Sequence, residues 1–153
     1  MKKGTDKMKI AMGSDHGGLD LKLKVKKHLE ERGFEITDYG THTHDSVDYP
    51  DMAKPVCMAI TNGEADCGML FCGTGIGISI AANKYKGIRA ALCSDVYSAK
   101  MAKMHNNAQI ICMGGRVIGE DLACMIADTW LDTEFEGDRH VKRIEKIHAA
   151  ENL

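Results

Sequence analysis

Met69-Leu-Phe-Cys-Gly-Thr-Gly-Ile-Gly-Ile-Ser79 carries an apolar run of strand character into Cys72, then three glycines at alternate positions before apolar periodicity resumes. That order reads as strand, tight loop and helix start. Glycines at such a joint let the backbone turn sharply and leave N–H groups unobstructed, so the loop and the helix N-terminus behind it can hold an anion. The same positive potential favours a thiolate over a thiol at Cys72. One segment thus offers a candidate base or nucleophile beside a candidate oxyanion site. The plainer reading is a small buried hydrophobe at a strand end. Spacing excludes three familiar loops. Ile78 and Ser79 follow Gly77 where a P-loop needs Lys-Ser/Thr, the glycines at 73, 75 and 77 miss G-x-G-x-x-G, and Ile78 stands where a phosphatase loop places its arginine.

Outward from this centre the chain repeats the same unit. Lys9–Gly13 reads as a strand, Ser14-Asp-His-Gly-Gly18 as the turn after it, and Leu21, Val25 and Leu29 as the buried stripe of a helix ended by Gly33. Asp15 and His16 therefore lie at a strand's carboxyl end, where open parallel sheets bind ligands, although Asp15 reads equally well as a helix cap. Phe34–Tyr39 is a second strand, and the polar loop from Gly40 to Tyr49, closed by Pro50, has a length common in binding sites. A helix over Ala53–Ile60 stops at Asn62-Gly63. Beyond the central strand come a helix from Gly77 to Asn83, a strand over Ile88–Cys93, a helix over Val96–Met104 started by Ser94-Asp95, and a strand over Gln109–Met113 leading to Gly114-Gly115-Arg116. Helices over Gly119–Leu131 and Arg139–Ala149 complete the chain. Met101 and Met104, three apart, read as core filling. Arg139 and Arg143, four apart, share one helix face; they form either a pair of forks for a phosphate monoester or, with Lys142 and Lys146, a solvated basic face. Strand-helix alternation with short glycine joints predicts right-handed crossovers and a Rossmann-like, doubly wound α/β fold: a mostly parallel five-stranded sheet with helices on both faces.

At 153 residues, 44% hydrophobic and 27% charged, the chain suits one domain over 1–153 with a substantial core. A net charge of -2 and a pI near 6.4 argue against a nucleic-acid partner. No apolar run approaches the roughly 18 residues of a membrane span, and Met1–Lys7 reads as a polar, disordered extension, so a cytoplasmic protein with no membrane partner is expected. The six cysteines are scattered without a C-x-x-C pair, and the seven histidines form no H-E-x-x-H. Reduced thiols in a reducing compartment follow, with no disulfide framework and no metal site.

Six ordered motifs then converge. Ser14-Asp-His-Gly-Gly18, Asp48-Tyr-Pro50, Cys72-Gly-Thr-Gly-Ile-Gly-Ile-Ser-Ile-Ala-Ala-Asn-Lys84, Gly87-Ile-Arg-Ala90, His105-Asn-Asn-Ala108 and the Arg139-His140-x-x-Arg143 pattern together resemble the type B ribose-5-phosphate isomerases, from about Met8 to the last helix. The resemblance implies a Rossmann-like fold, a homodimer at least, with tetramers left open, and neither metal nor organic cofactor. It implies interconversion of ribose 5-phosphate and ribulose 5-phosphate, a sugar phosphate being the small-molecule partner. By position, it makes Cys72 the base that moves a proton between carbons 2 and 1, with Thr74 beside it. His105 would protonate the ring oxygen as the furanose opens, supported by Asp15, and Asn106 would contact the sugar. Backbone N–H groups of Gly73, Thr74, Gly75, Ile76 and Gly77 would hold the enediolate oxygen. His16, Arg116, Arg139 and Arg143 would hold the phosphate, and Tyr49 would line the sugar pocket. The site would be shared between subunits, and the last helix, about 138–151, would pack on the partner.

The sister galactose-6-phosphate isomerases run their glycine loop into Asn-Asn and lack the His-Asn pair, whereas Ile78-Ser-Ile80 and His105-Asn106 stand here. Allose 6-phosphate, a six-carbon homologue, is an alternative substrate. One departure is Gly137-Asp138, where the family has Gly-Gly before Arg-His. An acidic side chain there weakens phosphate binding unless it caps the helix facing away. A reading of another class is a non-catalytic phosphate- or nucleotide-binding module with an inert Cys72, since doubly wound sheets host many binders.

Overall fold

Alternation along the central strand sorts the core into two layers. In the computed structural model, which describes residues 8–153, β3 (Cys67–Cys72) is buried at every position. Met69 and Phe71 face one layer, together with Ile10 and Met12 of β1 (Lys9–Ser14) and Ile111 and Met113 of β5 (Ile110–Gly114). Leu70 and Cys72 face the other, with Ala11, Ile110 and Cys112. The first layer is closed by α1 (Leu19–Glu31), α4 (Val96–Met104) and α5 (Glu120–Asp132) through Leu21, Val25, Ala99, Ile126 and Trp130. The second is closed by α2 (Tyr49–Thr61) and α3 (Ile76–Ala82) through Ala53, Val56 and Ile78. A strand's period of two and a helix's stripe thus meet on both faces of one sheet.

With β2 (Glu35–Asp38) and β4 (Ala90–Leu92), the strand order is β2-β1-β3-β5-β4. Every pairing is parallel, so the mostly parallel sheet expected is wholly parallel among the described residues. The chain ends in α6 (Arg139–Ala149) and a short 3-10 turn at Ala150–Asn152. No helix among the described residues is long and apolar enough to cross a membrane. The extension expected to be disordered, Met1–Lys7, lies outside the described residues.

Register decides what this sheet can present. Ser14 pairs with Phe71 and Cys72 with Gly114, so β1, β3 and β5 finish at one edge and hold the 15–18, 73–75 and 115–116 segments side by side. At the opposite edge, where Ile110 pairs with Gly68, the chain leaves α4 and enters β5.

Two boundaries and one core assignment differ from the sequence reading. α2 starts at Tyr49 rather than Ala53, because Asp48 takes the extended N-cap conformation and Pro50, which has no N–H to lose, fits the first turn. β4 spans only Ala90–Leu92, with Ile88 and Cys93 buried on either side of it. Met101 and Met104 are half-buried and stand outside the core cluster expected to hold them. One core position carries a charge: the Lys22 side chain is fully buried, and its Nζ donates to Asp38 Oδ1 and to the Thr41 carbonyl, each at 2.7 Å. Burial pulls this ammonium below the ordinary lysine range while Asp38 opposes the pull. The pair ties α1 to the start of the 40–49 loop.

Candidate active site

Cys72 ends β3 with 4% of its surface exposed, and its Sγ accepts the Gly75 N–H at 3.1 Å. That bond distinguishes it among the six cysteines. Cys57 donates its thiol to the Ala82 carbonyl, and burial pushes Cys57 and Cys67 up to about 12 and Cys93 up to about 11. Cys112 and Cys124 are likewise raised by burial. Those sulfurs are held as thiols, whereas Cys72 meets a donor suited to a thiolate. The turn requires glycine at 75, where φ is +80° and an added Cβ would sit 2.6 Å from Leu92 Cδ1 and 2.9 Å from the Met113 carbonyl carbon.

The five loop N–H groups are not equivalent. Gly75 serves the sulfur and Ile76 donates to Thr74 Oγ1 at 3.1 Å, whereas Gly73, Thr74 and Gly77 donate to no described residue. Of the N–H groups expected to serve as oxyanion donors across 73–77, those three are without an acceptor among the described residues.

Around this loop stand four further expected residues. The Arg116 guanidinium lies against Gly73 and Gly17, where added Cβ atoms would come within 3.1 and 3.4 Å of it. The Tyr49 ring lies over Gly77, its Cζ 2.6 Å from where a Cβ would stand. Asp15 is buried, and its Oδ1 accepts the N–H groups of Gly17 and Gly18 at 2.9 and 3.1 Å, closing the turn before α1; the N-cap is Gly18 and takes no side-chain cap bond, so Asp15 is not the helix cap of the alternative reading. Val47 N–H donates to His16 Nδ1 at 3.2 Å; that nitrogen must be the acceptor, leaving Nε2 to carry the proton of the neutral ring.

The remaining candidates form a second group. His105 caps the end of α4 and stacks on the buried His140, ring centroids 4.3 Å apart with planes 16° from parallel. Glu136 approaches both rings, at 4.0 Å from His105 Nε2 and 3.9 Å from His140 Nε2, and Arg139 at 3.4 Å. Arg139 and Arg143 are exposed on α6. A groove of about 500 Å³ lies against this group, lined by Arg89, Asn106, Ile147 and Glu151, and does not reach Cys72. His105, Glu136 and His140 bring ligand-type atoms within 4.8 Å of one another. Stacked, near-parallel rings keep their in-plane lone pairs in separate planes, however, so the two imidazoles do not converge on one ion.

One chain therefore keeps the two groups apart. Cys72 sits level with Gly114, while the His105 turn precedes Ile110 four residues earlier in the same register, an offset of roughly 13 Å at ~3.3 Å per residue. The signal for this was present in the sequence, since a helix end that feeds a parallel strand lies at the amino edge.

Three residues went unread. Glu136 bears no motif. Arg89 stood in a motif without a role, yet its guanidinium donates to the carbonyls of Asn106 and Asn107 at 2.9 and 2.8 Å, holding a turn in which Asn107 has φ +44°. Lys22 could have been found from its spacing, three and seven residues before Val25 and Leu29 on the buried stripe.

Asp138 occupies the N-cap of α6 at φ +55° and makes no side-chain cap bond, so the cap that would have accommodated its charge does not form. Left-handed backbone costs a residue with a Cβ about 1 kcal/mol or more. Asp138→Gly is expected to raise the thermal unfolding midpoint by roughly 3 °C, read by calorimetry; an unchanged or lower midpoint would show that no strain is held there.

Comparison with known proteins places this geometry. A family model described as Ribose/Galactose Isomerase matches residues 10–147. Ribose-5-phosphate isomerase B of Escherichia coli K12 is 50% identical over 143 residues, 94% of this chain and 96% of that protein. A D-erythrulose-4-phosphate isomerase of Pectobacterium atrosepticum is 47% identical over 141 residues, covering 92% and 93%. The solved structure of ribose-5-phosphate isomerase B from Clostridium thermocellum superposes with a TM-score of 0.94 at 53% identity, covering 95% of this chain and 98% of that one.

Proposed function

The chain belongs to the Ribose/Galactose Isomerase family, and from that premise we propose that it is a single isomerase domain interconverting ribose 5-phosphate and ribulose 5-phosphate through an enediolate. The observation that carries the reading is the Cys72 sulfur, held at the end of the central strand by the Gly75 N–H beside three uncommitted N–H groups and the Arg116 guanidinium. As thiolate, Cys72 takes the proton from C2 of the open-chain aldose. The C2–H electron pair becomes the C1–C2 double bond, and the C1 carbonyl pair moves onto oxygen. Donors fixed in advance at that oxygen contribute on the order of 3 to 4 kcal/mol each to the barrier, more than a ground-state contact could. The proton then returns to C1 through the double-bond pair, the O2 hydroxyl proton passes to O1, and the electron pair left on O2 forms the C2 carbonyl, which gives the ketose.

His105 supplies the proton for ring opening, with Asp15 in support, and Thr74, Asn106 and Tyr49 border the sugar. His16, Arg116, Arg139 and Arg143 take the phosphate. Because one chain holds the Cys72 and His105 groups at opposite sheet edges, the working unit is a dimer in which each site draws His105, Asn106, Arg139 and Arg143 from the partner. α6 supports this: of its residues only His140 is buried, and Val141 and Ile147 stay 44% and 49% exposed, an apolar stripe suited to a second copy. Six free thiols suit the cytoplasm.

The test is a coupled assay offering ribose 5-phosphate, allose 6-phosphate, galactose 6-phosphate and D-erythrulose 4-phosphate in parallel; the last is included because of the Pectobacterium relative. The highest kcat/KM is expected on ribose 5-phosphate. Turnover of none of the four would return the chain to the phosphate-binding reading.

A further inference from the structure

His105 is held by more than its helix. Its N–H donates to the Met101 carbonyl at 2.8 Å, closing α4, and its ring lies flat on His140. Glu136, in the segment between α5 and α6, spans the edge of that stack with one oxygen toward each ring. Its backbone is fixed there, because the Glu136 N–H donates to the Met104 carbonyl at 3.0 Å, one residue from the histidine. The backbone of Glu136 is therefore tied to the turn that carries His105, while its exposed carboxylate reaches toward His105 with one oxygen and meets Arg139 with the other at 3.4 Å.

The charges around the imidazole come from three elements. α6 brings Arg139, Arg143 and His140, the preceding segment brings Glu136, and α4 contributes the negative end of its dipole. Glu136 is thus the acid that faces the pair. His140 Nε2 is buried without a hydrogen-bond partner, and burial first, then Arg139 and His105, hold that ring below the ordinary histidine range. His140 accordingly favours the neutral ring and serves as a stacking wall for His105.

We infer that Glu136 is the positioning residue for His105, fixing the plane of its ring against His140 and keeping on it the proton that opens the furanose. The inference rests on the isomerase reading above and adds a residue to it. In the step concerned, the His105 proton goes to the ring oxygen, the C1–oxygen bonding pair leaves onto that oxygen, and the C1 hydroxyl releases its proton to water as the carbonyl forms. Nothing in that step touches the C1–C2 proton shuttle at Cys72.

Two substrates separate the steps. Ribose 5-phosphate must be opened first, whereas ribulose 5-phosphate is acyclic, its phosphate blocking the only hydroxyl that could close a furanose on C2. Exchange of the C1 hydrogen of ribulose 5-phosphate with D2O, followed by NMR, reports Cys72 alone. For Glu136→Gln in the full-length protein, kcat/KM on ribose 5-phosphate is expected to fall roughly 10-fold or more, and the alkaline limb of its pH profile to move to lower pH. C1 exchange should stay within about two-fold of wild type. Glu136→Asp should fall between them, and His105→Ala should reproduce the split. Equal losses in both assays would reduce Glu136 to a structural role, and no loss in either would remove it; both outcomes overturn the inference. An unchanged ribose rate in His105→Ala would likewise overturn the inference, by removing the ring-opening role of His105, whereas failure of the wild type to exchange C1 hydrogen would overturn the isomerase reading instead.

Discussion

Cys72→Ala is expected to lower kcat for ribose 5-phosphate by about 10³-fold or more while leaving sugar-phosphate binding in place. The magnitude follows from what is removed. A positioned base contributes typically 10² to 10⁴, and no other thiol can substitute, since burial holds Cys57 and Cys67 up near 12 and Cys93 near 11. Binding should persist because the groups proposed to hold the phosphate, the guanidiniums and His16, are not oriented by the sulfur. The fold should also survive: the change empties one sulfur's volume at the edge of the second core layer, worth about 1 kcal/mol on the scale of small core truncations. Titration calorimetry with ribose 5-phosphate reads the binding and a coupled assay reads the rate. Iodoacetamide gives an independent check, with one alkylation per chain expected, on Cys72, blocked by ribose 5-phosphate. Turnover near the wild-type rate in the alanine variant would end the assignment of the base.

How far the fold could be read from sequence depended on the kind of signal. The parallel sheet was legible because each strand is a short apolar run and each helix a stripe of residues such as Leu21, Val25 and Leu29, with Gly33 and Gly63 marking stops by their left-handed backbone. The start of α2 was misplaced because Tyr49-Pro50 was taken as the end of a loop, although Asp-x-Pro is itself a helix start. At the site, Asp15, Cys72 and Arg116 were legible as neighbours since all three follow strands. Glu136 and Arg89 were not. Both act on the His105 turn from more than fifteen residues away in sequence, through contacts to backbone carbonyls that any residue type supplies. Lys22 shows the opposite fault, a charge hidden in a hydrophobic stripe and tolerable only because Asp38 and Thr41 meet it.

Two inactive variants should restore each other. Cys72→Ala and His105→Ala, each alone, remove one group from every site, so neither homodimer turns over ribose 5-phosphate at an appreciable rate. In a mixed dimer built on two-fold symmetry, the His105→Ala subunit keeps its own Cys72 and receives the partner's His105, while the other site loses both groups. One intact site per mixed dimer, with half of the dimers mixed at random, gives about a quarter of wild-type activity after the variants are unfolded together and refolded. A site built within one chain gives no recovery under any mixing, since every subunit then carries a lesion of its own. The proposed roles of Cys72 and His105 favour the first outcome: moving His105 from the amino edge to the carboxyl edge of its own sheet would mean crossing the full length of β5, past Ile110, Ile111, Cys112 and Met113, all fully buried. Coexpression with two affinity tags isolates the mixed dimer and sharpens the measurement, because its activity should then approach half that of wild type. Recovery that scales with the mixed fraction would place the proton donor in the second subunit, and the roughly 13 Å offset within one chain would then be the reason the enzyme is obliged to work as a pair.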